Sequence, residues 1–385
     1  MKKVNHPGNP NRPKISIVTP SFNQARFLEK TILSVINQNY PNLEYIVMDG
    51  GSQDGSVEIL NKYQNAISYW TSEPDDGQAD AINRGFNRAG GEIIAWINSD
   101  DVYIPGSFKK VADIFVADPE IDIIYGDYAI IDVNDKLVKR IIPGAFVKSK
   151  LIKSCFIGQQ ATFFRKTSIY KYGPLDTALN FVLDYDFWLK IMYGGGRFYY
   201  LNQCLAKHRL WYDCKSQGSS IAMAFEKYAL QEKYLRQYPE DSADFREGLC
   251  NTSVWIAGLG ISENKPEYTS KYLHRIVEIS GEWFEDNIEN IVNTIARTIY
   301  QKHGRNALRI ANELVGKDTN LLIRKLNRHI LYVLINTLIR EKRLTPAVLL
   351  QIILYKPFML IMLLKCVFQH LIKKIEFRTA TDENT

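Results

Sequence analysis

Gly91-Glu92-Ile93-Ile94-Ala95-Trp96-Ile97-Asn98-Ser99-Asp100-Asp101 is the stretch whose reading decides the fold. Residues 93–97 are an unbroken apolar run, β-branched at three positions, as in a short strand buried on both faces. Two adjacent carboxylates follow at its C-terminal end, where open α/β sheets hold their ligands. Oxygen donors placed there suit a hard cation, Mg²⁺ or Mn²⁺, shared with a phosphate. The competing reading makes Ser99, Asp100 and Asp101 the cap of a helix that begins near Pro105.

Working outward, residues 14–19 form a short strand that stops at Pro20, and residues 25–38 carry apolar side chains at a helical period. A second strand at 43–48 ends in Asp49-Gly50-Gly51-Ser52-Gln53-Asp54-Gly55. A third strand is expected at 67–71 and a helix at 78–89. Strands alternating with single helices predict right-handed βαβ units and a parallel sheet. The glycines at 50, 51 and 55 lack the G-x-G-x-x-G order and follow the second strand, which argues against an ordinary NAD site. The lysine of a P-loop is also missing.

Further on, short β-like runs span 121–142, and another strand falls at 160–165. A helix at 181–193 bears Asp184 and Asp186 in its first turns, where an acid suits the helix dipole and favours the ionised form. An aromatic strand at 197–205 closes this second, mixed half. Beyond residue 217 the pattern is helical to the end.

The chain has 385 residues, 46% hydrophobic and 23% charged, so it can bury a proper core. Its net charge of +6, from 48 basic and 42 acidic residues, is too mild and dispersed for nucleic acid. Five cysteines without a C-x-x-C pair give no support for zinc or redox chemistry and fit a reducing cytosol. Residues 1–13 read as a disordered polar tail, without the apolar segment of a secretory signal. The resulting division is 1–13 tail, 14–216 α/β domain, 217–343 helical region and 344–385 apolar, basic-ended tail.

In that last segment, Gln351, Lys356-Pro357 and Lys365 interrupt the apolar run, which disfavours a spanning helix. A buried helical pair and a surface-lying membrane anchor remain. The basic end at Lys373, Lys374 and Arg378 favours the anchor, on the inner face of the cytoplasmic membrane.

Several blocks together resemble family 2 glycosyltransferases: Thr19-Pro20-Ser21-Phe22-Asn23, Asp49-Gly50-Gly51-Ser52-x-Asp54-Gly55, Glu73-Pro74-Asp75-Asp76-Gly77-Gln78-Ala79-Asp80-Ala81-Ile82-Asn83-x-Gly85 and Asn98-Ser99-Asp100-Asp101. Gly158-Gln159-Gln160-Ala161-Thr162-Phe163-Phe164-Arg165 and Asp184-Tyr185-Asp186-Phe187-Trp188-Leu189 continue the match, which covers residues 14 to about 215. The resemblance implies a GT-A fold, a Rossmann-like nucleotide-binding sheet with helices on both faces, followed here by the helical C-terminal region. It implies a nucleotide-sugar donor, usually a UDP-sugar, a saccharide or lipid-linked saccharide acceptor, and inversion at the anomeric carbon. It places Thr19, Pro20, Ser21, Asn23 and Asp49 on the nucleoside, Asp76 in the segment that completes the nucleotide pocket, and Ser99 and Asp100 at the donor phosphates.

Asp100, supported by Asp101, would hold Mn²⁺ or Mg²⁺, and Asp184 would act as general base. Asn98 stands where the family more often has Asp. Trp211 in Arg209-Leu210-Trp211 stands where the family often has His, with His208 nearby but out of register. Trp188 and Trp211 fit either sugar platforms or core packing. A different class of function, a non-catalytic sugar-nucleotide-binding or scaffold protein of an assembly complex, shares these motifs but would transfer nothing. The oligomeric state is left open by the sequence.

Overall fold

The buried run that follows Gly91 becomes strand β4 of a nine-stranded sheet, in a computed structural model that describes residues 12–295 apart from 213, 216–219, 264, 288–289 and 293–294. In chain order the elements are β1 (Ile15–Ser21), α1 (Ala25–Ile36), β2 (Leu43–Asp49), α2 (Ser56–Tyr63), β3 (Tyr69–Ser72), α3 (Gln78–Arg88), β4 (Ile93–Trp96), β5 (Val102–Tyr103) and α4 (Ser107–Ala117). There follow β6 (Ile123–Ile131), β7 (Leu137–Ile141), α5 (Lys148–Lys153), β8 (Thr162–Arg165), α6 (Lys166–Tyr172), α7 (Leu183–Tyr193) and β9 (Phe198–Arg209). Helices α8 (Ser220–Gln237), α9 (Ser242–Ser262) and α10 (Pro266–Asp286) complete the described chain.

The strand order is β3-β2-β1-β4-β8-β6-β9-β5, with β7 paired to β6. The first four strands run parallel, as the alternation of strands and helices predicts. β8 then runs antiparallel to both β4 and β6, which makes the second half mixed. All of β1 and β4 is buried, consistent with helices covering both faces. Gly85 shows how tightly α3 lies on β1: a Cβ there would stand 2.4 Å from Val18 Cγ1. Helix α2 carries only Ser56 and Leu60 as buried residues, too weak a stripe to be read from the sequence.

The chain divides into two compact units between Leu230 and Gln231. In the second unit, α9 and α10 bury Leu249, Cys250, Ile256, Leu273 and Ile276, and Thr252 Oγ1 donates to Gln231 Oε1 at 2.7 Å. Among the described residues no helix is long and apolar enough to cross a membrane. The expected tail up to residue 11, the helical region beyond 295 and the anchor at 344–374 lie outside the described residues.

Candidate active site

Parallel strands align their C-terminal ends, and here that edge gathers the polar residues. Ser21 pairs with Asp49, and Asp49 with Ser72, so the ends of β1, β2 and β3 stand side by side. Asp49 is buried and already takes three protein donors: Ser52 N at 2.8 Å, Ser52 Oγ at 2.6 Å and Ser72 Oγ at 2.6 Å. Thr19 is sealed in the sheet, with its Oγ1 3.1 Å from Tyr45 Oη, and Pro20 continues β1. Ser21 Oγ is buried with no hydrogen-bond partner among the described residues.

Asn23 adopts φ +53°, a left-handed turn that asparagine tolerates, and its Oδ1 accepts from Gln53 N at 3.0 Å. These bonds clamp the loop after β1 onto the loop after β2. Asp76 is exposed, and its backbone N–H donates to Asp80 Oδ2 at 3.2 Å. Its neighbour Asp75 is the acid that reaches this edge. A Cβ on Gly50 would lie 2.8 Å from Asp75 Oδ2, so glycine is needed beside Asp49 for that approach. Both residues stand in the quoted motif, and only the turn at Gly77 decides which one turns inward.

The triplet after β4 is held from several directions. Helix α4 starts after Gly106 without any side-chain cap, so the capping reading of residues 99–101 is excluded. Ser99 is buried, and its carbonyl accepts from Thr31 Oγ1 at 2.9 Å. Asn98 Oδ1 accepts from Gln78 Nε2 at 2.7 Å. Asp100 Oδ2 accepts from Trp211 Nε1 at 2.9 Å, and its carbonyl accepts from Arg209 Nε at 2.9 Å. Asp101 is completely buried; its Oδ1 accepts from Arg209 N at 2.8 Å and lies 3.1 Å from His208 Nδ1.

Burial, then the neighbouring Asp101 charge, pushes the Asp100 carboxyl up to about 6, although Trp211 and His208 partly offset them. Burial works to lower the His208 pKa, but the Asp101 carboxylate overrides it and raises the imidazole above its usual value. Asp101 Oδ2 is buried without a partner among the described residues. Two adjacent acids that offer oxygen donors, one with an unpartnered oxygen, fit a hard divalent cation. Among the described residues no group of three or more His, Cys, Asp and Glu side chains is arranged to hold one.

Asp184 lies in the first turn of α7, half-buried, with Oδ1 accepting its neighbour's Tyr185 N at 2.8 Å. Burial pushes its carboxyl up to about 6. The expectation that the helix start would favour ionisation is therefore reversed, because desolvation outweighs the dipole and the backbone bonds. Asp186 instead turns inward and pairs with Lys190 at 2.7 Å.

The family model for glycosyl transferase family 2 matches residues 16–175. The chain is 30% identical over 179 residues to a UDP-Glc:alpha-D-GlcNAc-diphosphoundecaprenol beta-1,3-glucosyltransferase, WfgD, of Escherichia coli, covering 46% of this chain and 69% of that one. The chain belongs to glycosyltransferase family 2. An uncharacterized glycosyltransferase of Rickettsia typhi is 26% identical over 268 residues, 68% of this chain and 83% of the relative. Across the rickettsial relatives the share of the relative covered runs from 31% to 92%. Among solved structures, the mannosyltransferase PcManGT of Pyrobaculum calidifontis, in complex with GDP-Man and Mn²⁺, has a TM-score of 0.49 at 16% identity, over 77% of this chain and 90% of that one.

In this family 2 chain, three residues that the sequence reading passed over organise the second half of the site. Glu226, on α8, accepts from the backbone N–H groups of Asn180, Phe181 and Val182 at 2.7, 2.6 and 2.9 Å. These donors lie in the three residues that lead into α7, so a distant carboxylate fixes the chain entering the helix that carries Asp184. Tyr128, on β6, is pushed up to about 12 by burial, then by Cys155, Asp184 and Asp101, so it lies within electrostatic reach of both acids. Gln159 Nε2 donates to the Trp96 carbonyl at 2.6 Å, tying the loop before β8 to the end of β4. Glu226 had no local signal. Gln159 stood in a quoted motif, and Tyr128 was one aromatic among many. Trp188 is wholly buried and stacks on Trp96, so it belongs to the core and is no sugar platform.

Proposed function

We propose that this chain is an inverting, metal-dependent glycosyltransferase of the hexosyl type, moving a sugar from a nucleotide-sugar to a hydroxyl group. The donor we favour is a UDP-sugar, and the acceptor a saccharide or lipid-linked saccharide in cell-surface polysaccharide biosynthesis at the cytoplasmic face of the membrane. The Escherichia coli relative, named for a UDP-Glc donor and a diphosphoundecaprenol-linked acceptor, supports that choice. The observation that carries the reading is the pair of desolvated acids, Asp100 and Asp184, both with carboxyls pushed up to about 6 and both acting from elements tied to β4.

In this reading Ser21, Asn23, Asp49 and Asp75 line the nucleoside end, with Thr19 and Pro20 shaping the strand beneath. Asp100 faces the diphosphate with Ser99 behind it, while Asp101, sealed in, adds negative charge and fixes His208. Asp100 would hold Mn²⁺ or Mg²⁺, which would supply positive charge to offset that of the departing diphosphate. Asp184 accepts the proton of the acceptor hydroxyl as its oxygen attacks the anomeric carbon from the face opposite the diphosphate. The new C–O bond forms as the sugar–phosphate bond breaks, and the centre inverts. A carboxylate with a pKa near 6 is a better base at neutral pH than an ordinary aspartate and still mostly ionised.

The test is turnover of UDP-sugars with Mn²⁺ on a diphosphoundecaprenol-linked GlcNAc acceptor, in the wild type, Asp100→Ala and Asp184→Asn. Transfer that falls by at least about a hundredfold in both variants supports the reading. Undiminished transfer in both overturns the mechanism. UDP binding without transfer to any acceptor favours the idle, scaffold-type alternative.

A further inference from the structure

The net charge of +6 is not spread evenly over the chain. Lys136, Lys139, Arg140, Lys148, Lys150 and Lys153 follow one another with no acid among them, and the next acid after Asp135 is Asp176. The first three stand on or beside β7, the strand that pairs with β6 alone. The turn before β7 does not neutralise them. Asp135 pairs with Lys30 and Arg209, and Asp132 Oδ1 accepts from Asn134 N and Lys136 N, both at 2.9 Å. Among the described residues no carboxylate pairs with the side chain of Lys136, Lys139 or Arg140.

Strand register ties this edge to the acid site. Ile130 of β6 has Lys139 of β7 on one side and His208 of β9 on the other. His208 Nδ1 lies 3.1 Å from Asp101 Oδ1. β7 therefore runs two strand spacings, about 10 Å, from the strand that meets the acids. Ala129 likewise stands between Arg140 and Lys207, which sets two cations in one row. Phe146 stacks on Phe198 at 4.2 Å and pins the loop after β7 against the start of β9.

Lysine and arginine on an edge strand usually guard it against pairing with another strand. That need does not account for the apolar side chains here: Leu137 is 52% exposed, Val138 61% and Ile142 68%. A second copy of the chain on this edge would set cation against cation. A soluble polyanion would leave the apolar groups in water. Cations interleaved with bare hydrocarbon match a layer of anionic lipid headgroups, which takes up both.

We propose that β7 and the loop that follows it dock the chain on an anionic bilayer surface. Leu137, Val138 and Ile142 enter the headgroup boundary, and Lys136, Lys139 and Arg140 meet lipid phosphates. The edge beside the acids then adjoins the layer that carries a lipid-linked acceptor. That last consequence rests on the glycosyltransferase reading above; the docking itself stands on the surface alone. It uses a different part of the chain from the apolar tail at 344–374.

The experiment sediments the full chain with vesicles of phosphatidylcholine alone and with about 30% phosphatidylglycerol. Binding to the anionic vesicles should be at least about tenfold tighter and should weaken as salt is raised. Lys139→Glu with Arg140→Glu should lower it by at least about tenfold. Val138→Ser with Ile142→Ser keeps every charge and should also lower it severalfold. Lys109→Glu with Lys110→Glu on α4 makes the same change in net charge elsewhere and should bind as the wild type does. All these side chains are exposed, and thermal unfolding checks that each variant folds. A wild type that ignores anionic vesicles overturns the proposal. So does either β7 variant binding as well as the wild type, or the α4 variant losing as much as the charge-reversed β7 variant. Vesicle binding that depends on β7, in a chain that transfers no sugar, leaves the surface standing and takes down the glycosyltransferase reading instead.

Discussion

Trp96 and Trp188 stack face to face, with ring centroids 5.6 Å apart and planes inclined by 26°. Trp96 closes β4, four residues before Asp100, and Trp188 stands one helical turn after Asp184 on α7. Phe164 meets both rings at their edges, 6.1 Å from Trp96 and 6.3 Å from Trp188. The two acids thus project from two elements clamped by one aromatic cluster. Trp188→Ala should cost about 3–5 kcal/mol of stability, the usual range for emptying a large aromatic site. The conservative Trp188→Phe should keep most of the stability yet lower kcat more than KM, because a small tilt of α7 moves Asp184. Urea unfolding and steady-state kinetics on the two variants check this.

The Asp184 carboxyl, raised from 3.8 to about 6 by burial, gives a signed pH prediction. The folded chain resists ionising this group, so a penalty develops as pH rises from about 3.8 and is complete above about 6. Asp184→Asn removes it. The variant should be more stable than the wild type at pH 7.5, with the gap closing as pH falls toward 4.5. Denaturant midpoints across that interval test the sign, and a gap that stays constant with pH would refute the assignment. Activity of the wild type should fall on the acid side of about 6, as the base becomes protonated.

Glu226 holds the three residues that lead into α7 through their N–H groups. Glu226→Ala strands those donors, and the expected loss is about 1–3 kcal/mol. Glu226→Gln keeps an acceptor but not the charge and should lose less. Since the start of α7 bears Asp184, kcat should follow stability downward in the Ala variant while UDP affinity holds. Thermal unfolding and calorimetry with UDP separate the two effects.

Gly85 is a test of packing far from any charge. A methyl group there would overlap Val18 Cγ1 at 2.4 Å, between α3 and β1. Helix propensity alone would make Gly85→Ala stabilising by about 1 kcal/mol. The close approach reverses that sign, and a loss of about 1–3 kcal/mol is expected. Val18→Ala in the same chain should recover part of it, which a double-mutant cycle measures.

The local record in the chain was enough for the α/β half. Hydrophobic runs at 14–19, 43–48 and 93–97, each followed by polar residues, state their own period and mark their ends to within two residues, and strands so spaced have few topologies open to them. The same record placed Asp49, Asp100 and Asp184 at element ends, because a motif carries its position along the chain. What it could not carry is which group faces which. Asp100 meets Trp211 and Asp101 meets Arg209 across more than a hundred residues, and Glu226 reaches α7 from another helix. Asp75 and Asp76 are adjacent in sequence, and only the backbone turn toward α3 sends one to Gly50 and the other to solvent. The raised carboxyls are likewise a property of the folded surroundings. Desolvation depends on every atom packed around a charge, and so it exists only once the tertiary structure has brought those atoms together.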